Sequence, residues 1–135
     1  MEVSPVTRDA ITAVWPDVED YIRLIVDRAE GEYDEGDLFS RCLDGKLTLL
    51  IAHDGWEVYG AILSQVIEYP QKSALNVFGI GGRELDQWID PLISRLREGM
   101  ENIQADCIKA YARPGLERKL LGRGFRVRTH EMVLK

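Results

Sequence analysis

The stretch GIGGRELDQW, residues 79 to 88, closes an apolar run and opens an amphipathic segment. A glycine-rich junction between a strand and a helix constrains a small α/β domain more than any other feature of this chain. Gly79, Gly81 and Gly82 adopt positive φ at little steric cost, so a loop there can curl with several N–H groups pointing inward. A helix that follows adds the positive end of its dipole, and Arg83 adds a full charge. The pattern reads as a phosphate cradle, with a plain tight turn as the competing reading.

The 135 residues, 45% apolar and 30% charged, suit one domain over 1–135 that buries its core without disulfides or metal. Cys42 and Cys107 are too few and too far apart for a disulfide framework or a zinc site. They read as unpaired thiols, Cys42 on the inner face of a short helix and Cys107 opening a buried strand. His53 and His130 have no metal-ligand spacing to each other or to either cysteine, so no metal is expected. No signal peptide opens the chain and its longest apolar runs are far short of a membrane span. The expectation is a cytoplasmic protein with no membrane partner. The net charge of −6 argues against nucleic acid as a partner. That charge is uneven: Arg113 to Lys135 holds seven Lys or Arg against Glu117 and Glu131, a local +5, so the remainder carries −11. Such a section serves either as a solvated basic face or as part of an anion site.

Periodicity orders the chain. Glu2 to Val6 suits a first strand, and Val14, Val18, Tyr21, Ile22, Ile25 and Ala29 recur at helical spacing. GEYDEGDL, residues 31 to 38, is a polar turn into a short helix through Leu38, Phe39 and Cys42, with Asp34 as N-cap and Gly45 as its end. Leu47 to Ala52 and Val58 to Tyr69 read as strands joined through the turn His53-Asp54-Gly55. Ala74 to Phe78 is a strand that runs into the glycine loop. Leu85, Trp88, Ile89, Leu92, Ile93 and Leu96 then form one helical face, and Pro91 places the regular helix start at Asp90. Cys107 to Ala112 is a strand, Leu116 to Leu121 a short helix and Arg126 to Leu134 a final strand. The order β-α-α-β-β-β-α-β-α-β predicts an α/β fold with a mixed sheet covered by helices. Trp15, Trp56 and Trp88 lack basic interleaving and read as core or rim packing.

This order, with a glycine turn between the fourth strand and the third helix, resembles the GNAT superfamily of acetyl-CoA-dependent N-acetyltransferases. The segment ARPGLERKLLGRGFRVRTHEMVLK, residues 112 to 135, is similar to the family's closing strand–helix–Gly-Phe–strand module, with Gly124-Phe125 as the pair. VWPDVEDYI (14 to 22), GEYDEGDL, the glycine loop with Leu85 and Trp88, and Ala-Arg-Pro-Gly at 112 to 115 resemble GNAT-like proteins of tailed bacteriophages. The resemblance implies acetyl-CoA as cosubstrate and a small-molecule or protein amine as acceptor. It assigns the pyrophosphate to Gly79, Ile80, Gly81, Gly82 and Arg83, and the pantetheine arm to the backbone of Asn76, Val77 and Phe78. It also implies a phage or host protein as partner, and the host cytoplasm or the virion as location.

The chain departs from the family pattern at the positions that move protons. The glycine loop is shorter than usual; Leu120 stands where a tyrosine commonly serves as acid; Arg113 stands where an asparagine is frequent; and Ala74 to Phe78 holds no carboxylate. Glu32, Tyr33, Asp34, Glu35 and Asp37 cluster where such a fold frames its acceptor, so Glu32 is the candidate base and Tyr33 the candidate acid. The competing reading of that cluster is an acidic helix start. Glu68 and Tyr69 are second candidates. The same departures support a rival function, a GNAT-like phage protein without catalysis that serves as a virion or host-interaction component. A nucleotide or other phosphate ligand in the glycine loop is a third.

Overall fold

A computed structural model describes all residues, 1–135. Five strands form one sheet in the order β1-β2-β3-β4-β5: β1 Glu2–Pro5, β2 Thr48–His53, β3 Val58–Glu68, β4 Ser73–Gly82 and β5 Cys107–Ala110. Neighbours from β1 to β4 are antiparallel, and β5 joins β4 in parallel. Four helices cover the sheet: α1 Ile11–Arg28, α2 Glu35–Leu43, α3 Leu85–Asn102 and α4 Pro114–Leu121. The α/β class and mixed sheet are those expected from the periodicity.

Strand alternation sends side chains to opposite faces and so divides the core in two. Leu49, Ala61 and Leu63 meet Ile11, Trp15, Val18, Ile22 and Ile25 of α1 and Leu38 and Cys42 of α2. On the other face Leu50, Ile62, Leu75, Val77 and Ile80 meet Trp88, Ile89, Leu92 and Leu96 of α3, with Leu116 and Leu120 of α4. The α2 start is a reciprocal capping box: Asp37 N donates to Asp34 Oδ1 at 2.7 Å, and Asp34 N donates to Asp37 Oδ2 at 3.0 Å. Gly45 follows the helix at φ 76°, where glycine fits best.

Four expectations need correction. First, β4 does not stop at Phe78 but runs to Gly82, so the glycines are strand residues. None of Gly79, Gly81 and Gly82 has positive φ. Second, α3 begins at Leu85, with Pro91 inside it, and Asp90 is not its N-cap. Burial of Trp88 and Ile89, and a bond from Trp88 Nε1 to the Arg83 carbonyl at 2.9 Å, stabilise the turns ahead of the proline. Third, no strand forms over Arg126–Leu134. One side of that segment would carry Arg126, Arg128 and His130, and the other Thr129 and Glu131, so neither side offers a continuous apolar stripe to bury. Phe125 is the last residue packed on the core, after Gly124 turns the chain at φ 93°. Fourth, Trp56 is no packing residue, because at the β2–β3 hairpin it is 95% exposed; Trp15 and Trp88 are buried. No helix is long and apolar enough to cross a membrane.

Candidate functional site

β4 outruns β5. Their pairing runs from Ala74 opposite Cys107 to Val77 opposite Ala110 and stops there, while β4 continues to Gly82. At the same point β4 bulges against β3: Leu63 faces Gly79 and Ser64 faces Val77, which leaves Phe78 with no opposite residue. Beyond the bulge, one edge of β4 is free of any strand. Arg83 N donates to the Tyr59 carbonyl at 2.8 Å, so strand alternation turns the amides of Gly82 and Ile80 away from β3. The Ile80 carbonyl accepts from Arg28 Nη1 at 2.9 Å, which confirms that direction. The Arg28 guanidinium has its pKa held below the ordinary value by burial first and then by the positive charge of Arg113. Arg28 of α1 therefore borders the free edge of β4, within reach of the charge of Arg113 at the start of α4.

The glycines serve packing. A Cβ at Gly81 would overlap the Tyr21 carbonyl, one at Gly79 would stand 2.5 Å from Ile25, and one at Gly82 would stand 2.5 Å from the Tyr59 carbonyl. Gly60 across from Gly82 makes room for the Trp88 ring, 2.6 Å from where its Cβ would be. The backbone of α1 and the Trp88 indole occupy the space that side chains would fill, so these glycines form no cradle. Arg83 is occupied as well. Its Nη2 donates to Glu57 at 2.9 Å, its Nε to Tyr21 Oη at 3.3 Å, and its guanidinium lies 4.3 Å from the Tyr59 ring centre. Those two hydrogen bonds, Tyr21 first, raise its pKa further. Glu84, at φ 57°, and Asp86 place negative charge at the start of α3. The amides of Ile80 and Gly82 face the free edge of β4, with the Ile80 carbonyl held by Arg28; the curled phosphate loop anticipated from the glycines is not formed.

Of the predicted site residues, Asn76 and Val77 lie where β4 is still paired on both sides, and Phe78 lies at the bulge. Tyr33 reaches it: the Tyr33 and Phe78 rings meet edge to face at 5.0 Å. The Arg41 guanidinium sits 5.2 Å from the Tyr33 ring centre. Glu32 is exposed in the α1–α2 turn, its N–H donating to the Ala29 carbonyl. Asp34 and Asp37 are engaged in the capping box, and Glu35 accepts from Trp15 Nε1 at 3.4 Å and pairs with Arg23 at 3.4 Å. Tyr69 Oη accepts from Lys109 Nζ at 2.6 Å, at the end of the sheet away from the free edge of β4. Leu120 is buried against α3.

One residue was undervalued in the sequence. The family resemblance gives Asn76 only a backbone role, yet its side chain is 3% exposed and its Oδ1 has no hydrogen-bond partner. An unpaired buried amide oxygen costs about 1–3 kcal/mol, which makes it a notable feature two residues before the bulge. The signal was present: Asn76 is the single polar residue within ALNVF.

No protein-family model and no curated protein sequence matches the chain. Solved structures do. A GCN5-related N-acetyltransferase from Ralstonia eutropha superposes with a TM-score of 0.74 at 15% identity, over 99% of this chain and 97% of that one. A ribosomal-protein-alanine N-acetyltransferase from Brucella melitensis gives 0.71 at 14% identity, over 100% and 99%. An aminoglycoside acetyltransferase from an uncultured soil metagenome gives 0.65 at 13%, over 99% and 96%. With β4 running past the end of β5, the bulge at Phe78 and this superposition over nearly whole chains, the fold is that of the GNAT N-acetyltransferases.

Proposed function

We propose that this protein is an acetyl-CoA-dependent N-acetyltransferase that acts on a primary amine. The observation that carries the reading is the free edge of β4 from the bulge at Phe78 to Gly82, past the end of β5 at Ala110. In this reading the pantetheine arm bonds to the outward amides of Ile80 and Gly82, and Arg28 and Arg113 supply positive charge beside it. The acceptor loses a proton to a carboxylate of the α1–α2 turn, with Glu32 as the candidate. Its lone pair attacks the thioester carbonyl, the C–N bond forms and the C–S bond breaks; the departing sulfur takes a proton and the nitrogen sheds its second proton to solvent, which leaves the neutral amide. Tyr33, in contact with Phe78, is the candidate donor. A thiol, with a pKa of about 8.5, departs with modest help, so loss of the usual acid at Leu120 is tolerable.

Calorimetric titration with acetyl-CoA, followed by thiol release with a panel of amines, tests the reading. Saturable binding and amine-dependent release support it; absence of both overturns it. A second reading is favoured by Leu120, which packs on α3 and offers no proton. It is a GNAT-like phage protein without catalysis, used as a virion or host-interaction component. Binding of acetyl-CoA with no turnover of any amine would favour that role.

A further inference from the structure

A second cavity, of about 450 Å³, lies where β2 begins and β3 extends past it. Arg41, Lys46, Thr48, Ser64 and Gln65 line it, and no acidic residue does. Neither cation is in an ion pair; Arg41 has only the face of Tyr33. Asp44, in the same turn, is outside the wall. Arg8 lies outside the wall, its guanidinium donating twice to the Leu43 carbonyl at 2.9 and 3.0 Å. On an acidic protein, two cations without ion pairs beside hydroxyl and amide groups make a local positive site suited to an anion.

Two routes connect this cavity to the bulge. Arg41 stacks on Tyr33, and Tyr33 contacts Phe78. Gln65 in the wall is the cross-strand partner of Asn76, so the two share a sheet face, and Asn76 Oδ1 is the buried oxygen without a donor. An amine N–H is a donor of the kind this oxygen lacks.

We propose that this cavity is the acceptor-recognition site and that it takes primary amines carrying a separate anionic group, carboxylate or phosphate. The anion lies against Arg41 and Lys46, and the amine end extends toward Asn76 and Tyr33. The fate of the amine rests on the acyltransferase reading, whereas recognition of the anion rests on the cavity alone.

The test is calorimetric titration without acetyl-CoA, using three probes of similar length: β-alanine, phosphoethanolamine and propylamine. At least one anionic probe is expected to bind saturably, and propylamine to show no binding. Whichever anion binds more tightly identifies the group that is read. Lys46→Gln, on an exposed residue, is expected to weaken that binding about tenfold or more, as loss of a charge-assisted contact does. Arg41→Gln, with its fold checked by circular dichroism, is expected to do the same. Binding of propylamine as tight as the anionic probes, Kd values unchanged in both variants, or no binding of either anionic probe at about 20 mM overturns the proposal. Because acetyl-CoA is absent, a failed acyltransferase reading leaves these outcomes unaffected.

Discussion

The carbonyl of Tyr21 on α1 lies against the Cα of Gly81 on β4, at a separation that excludes any side chain at position 81. A helix backbone resting on a strand is possible only where the strand residue has no Cβ. Gly81→Ala is therefore expected to destabilise the fold by about 2–4 kcal/mol, because the clash is with backbone that cannot rotate away. Gly115, with nothing near its would-be Cβ and a place in α4, is the control. Gly115→Ala is expected to be neutral or stabilising by up to about 1 kcal/mol. Urea denaturation of both variants checks the contrast.

Tyr33 touches Phe78 at the bulge through its ring, so Tyr33→Phe keeps the packing and removes only the hydroxyl. The melting temperature should stay near wild type while turnover falls roughly a hundredfold, the lower end for loss of a general acid. Thiol-release kinetics at saturating acetyl-CoA measure it. Unchanged turnover would remove Tyr33 from the chemistry.

Asn76→Leu replaces a buried amide, whose oxygen has no partner, by an apolar side chain of similar size. Stability is expected to rise by about 1–2 kcal/mol, since the desolvation cost of the oxygen disappears. Amine turnover should fall in the same variant. A stability gain joined to an activity loss is the mark of a polar atom kept for a ligand.

Two ion pairs join α4 and the turn after it to α3: Lys119 with Asp86, and Arg123 Nε with Asp90 Oδ1 at 2.7 Å. The Arg123 hydrogen bond holds the Asp90 carboxyl below the usual range. A depressed folded-state pKa gives stabilisation that is present above the unfolded pKa and is lost as pH falls through the folded value. Asp90→Asn should thus lower the melting temperature slightly at neutral pH, and the difference from wild type should shrink as pH falls below the ordinary aspartate value of about 3.9. Melting curves of wild type and variant across that range decide it.

Burial pushes the Cys42 thiol up to about 11, from an ordinary 9.0. In that window the native state holds a proton that the unfolded chain has released, so this thiol's contribution to stability is full below pH 9 and falls as pH rises toward 11. The slope is about 1.4 kcal/mol per pH unit for one group. Cys42→Ala should flatten the alkaline limb of the stability curve by that amount. At pH 8, iodoacetamide should label Cys107 in the native protein and reach Cys42 only on unfolding, as peptide mapping would show.

Sequence alone determined the elements whose signals are local. The 3.6-residue recurrence of Val18, Ile22 and Ile25 defines the buried stripe of α1, Asp34 and Asp37 cap α2 through their own backbone, and alternation through β2 and β3 sorts the two core faces. Tertiary structure decided what depends on distant contacts. Gly79, Gly81 and Gly82 look like a loop because glycine breaks structure locally, yet they extend β4 because α1 and Trp88 need the space of their missing side chains. Pro91 looks like a boundary, yet burial of Trp88 and Ile89 carries α3 across it. The residues from Arg126 onward alternate as a strand would, yet without a continuous apolar stripe they gain too little from pairing to offset the ordering cost. The site follows the same rule. Tyr33 was legible from its turn, but its contact with Phe78, the unpaired oxygen of Asn76 and the cations around the second cavity exist only once residues far apart in the chain are brought together.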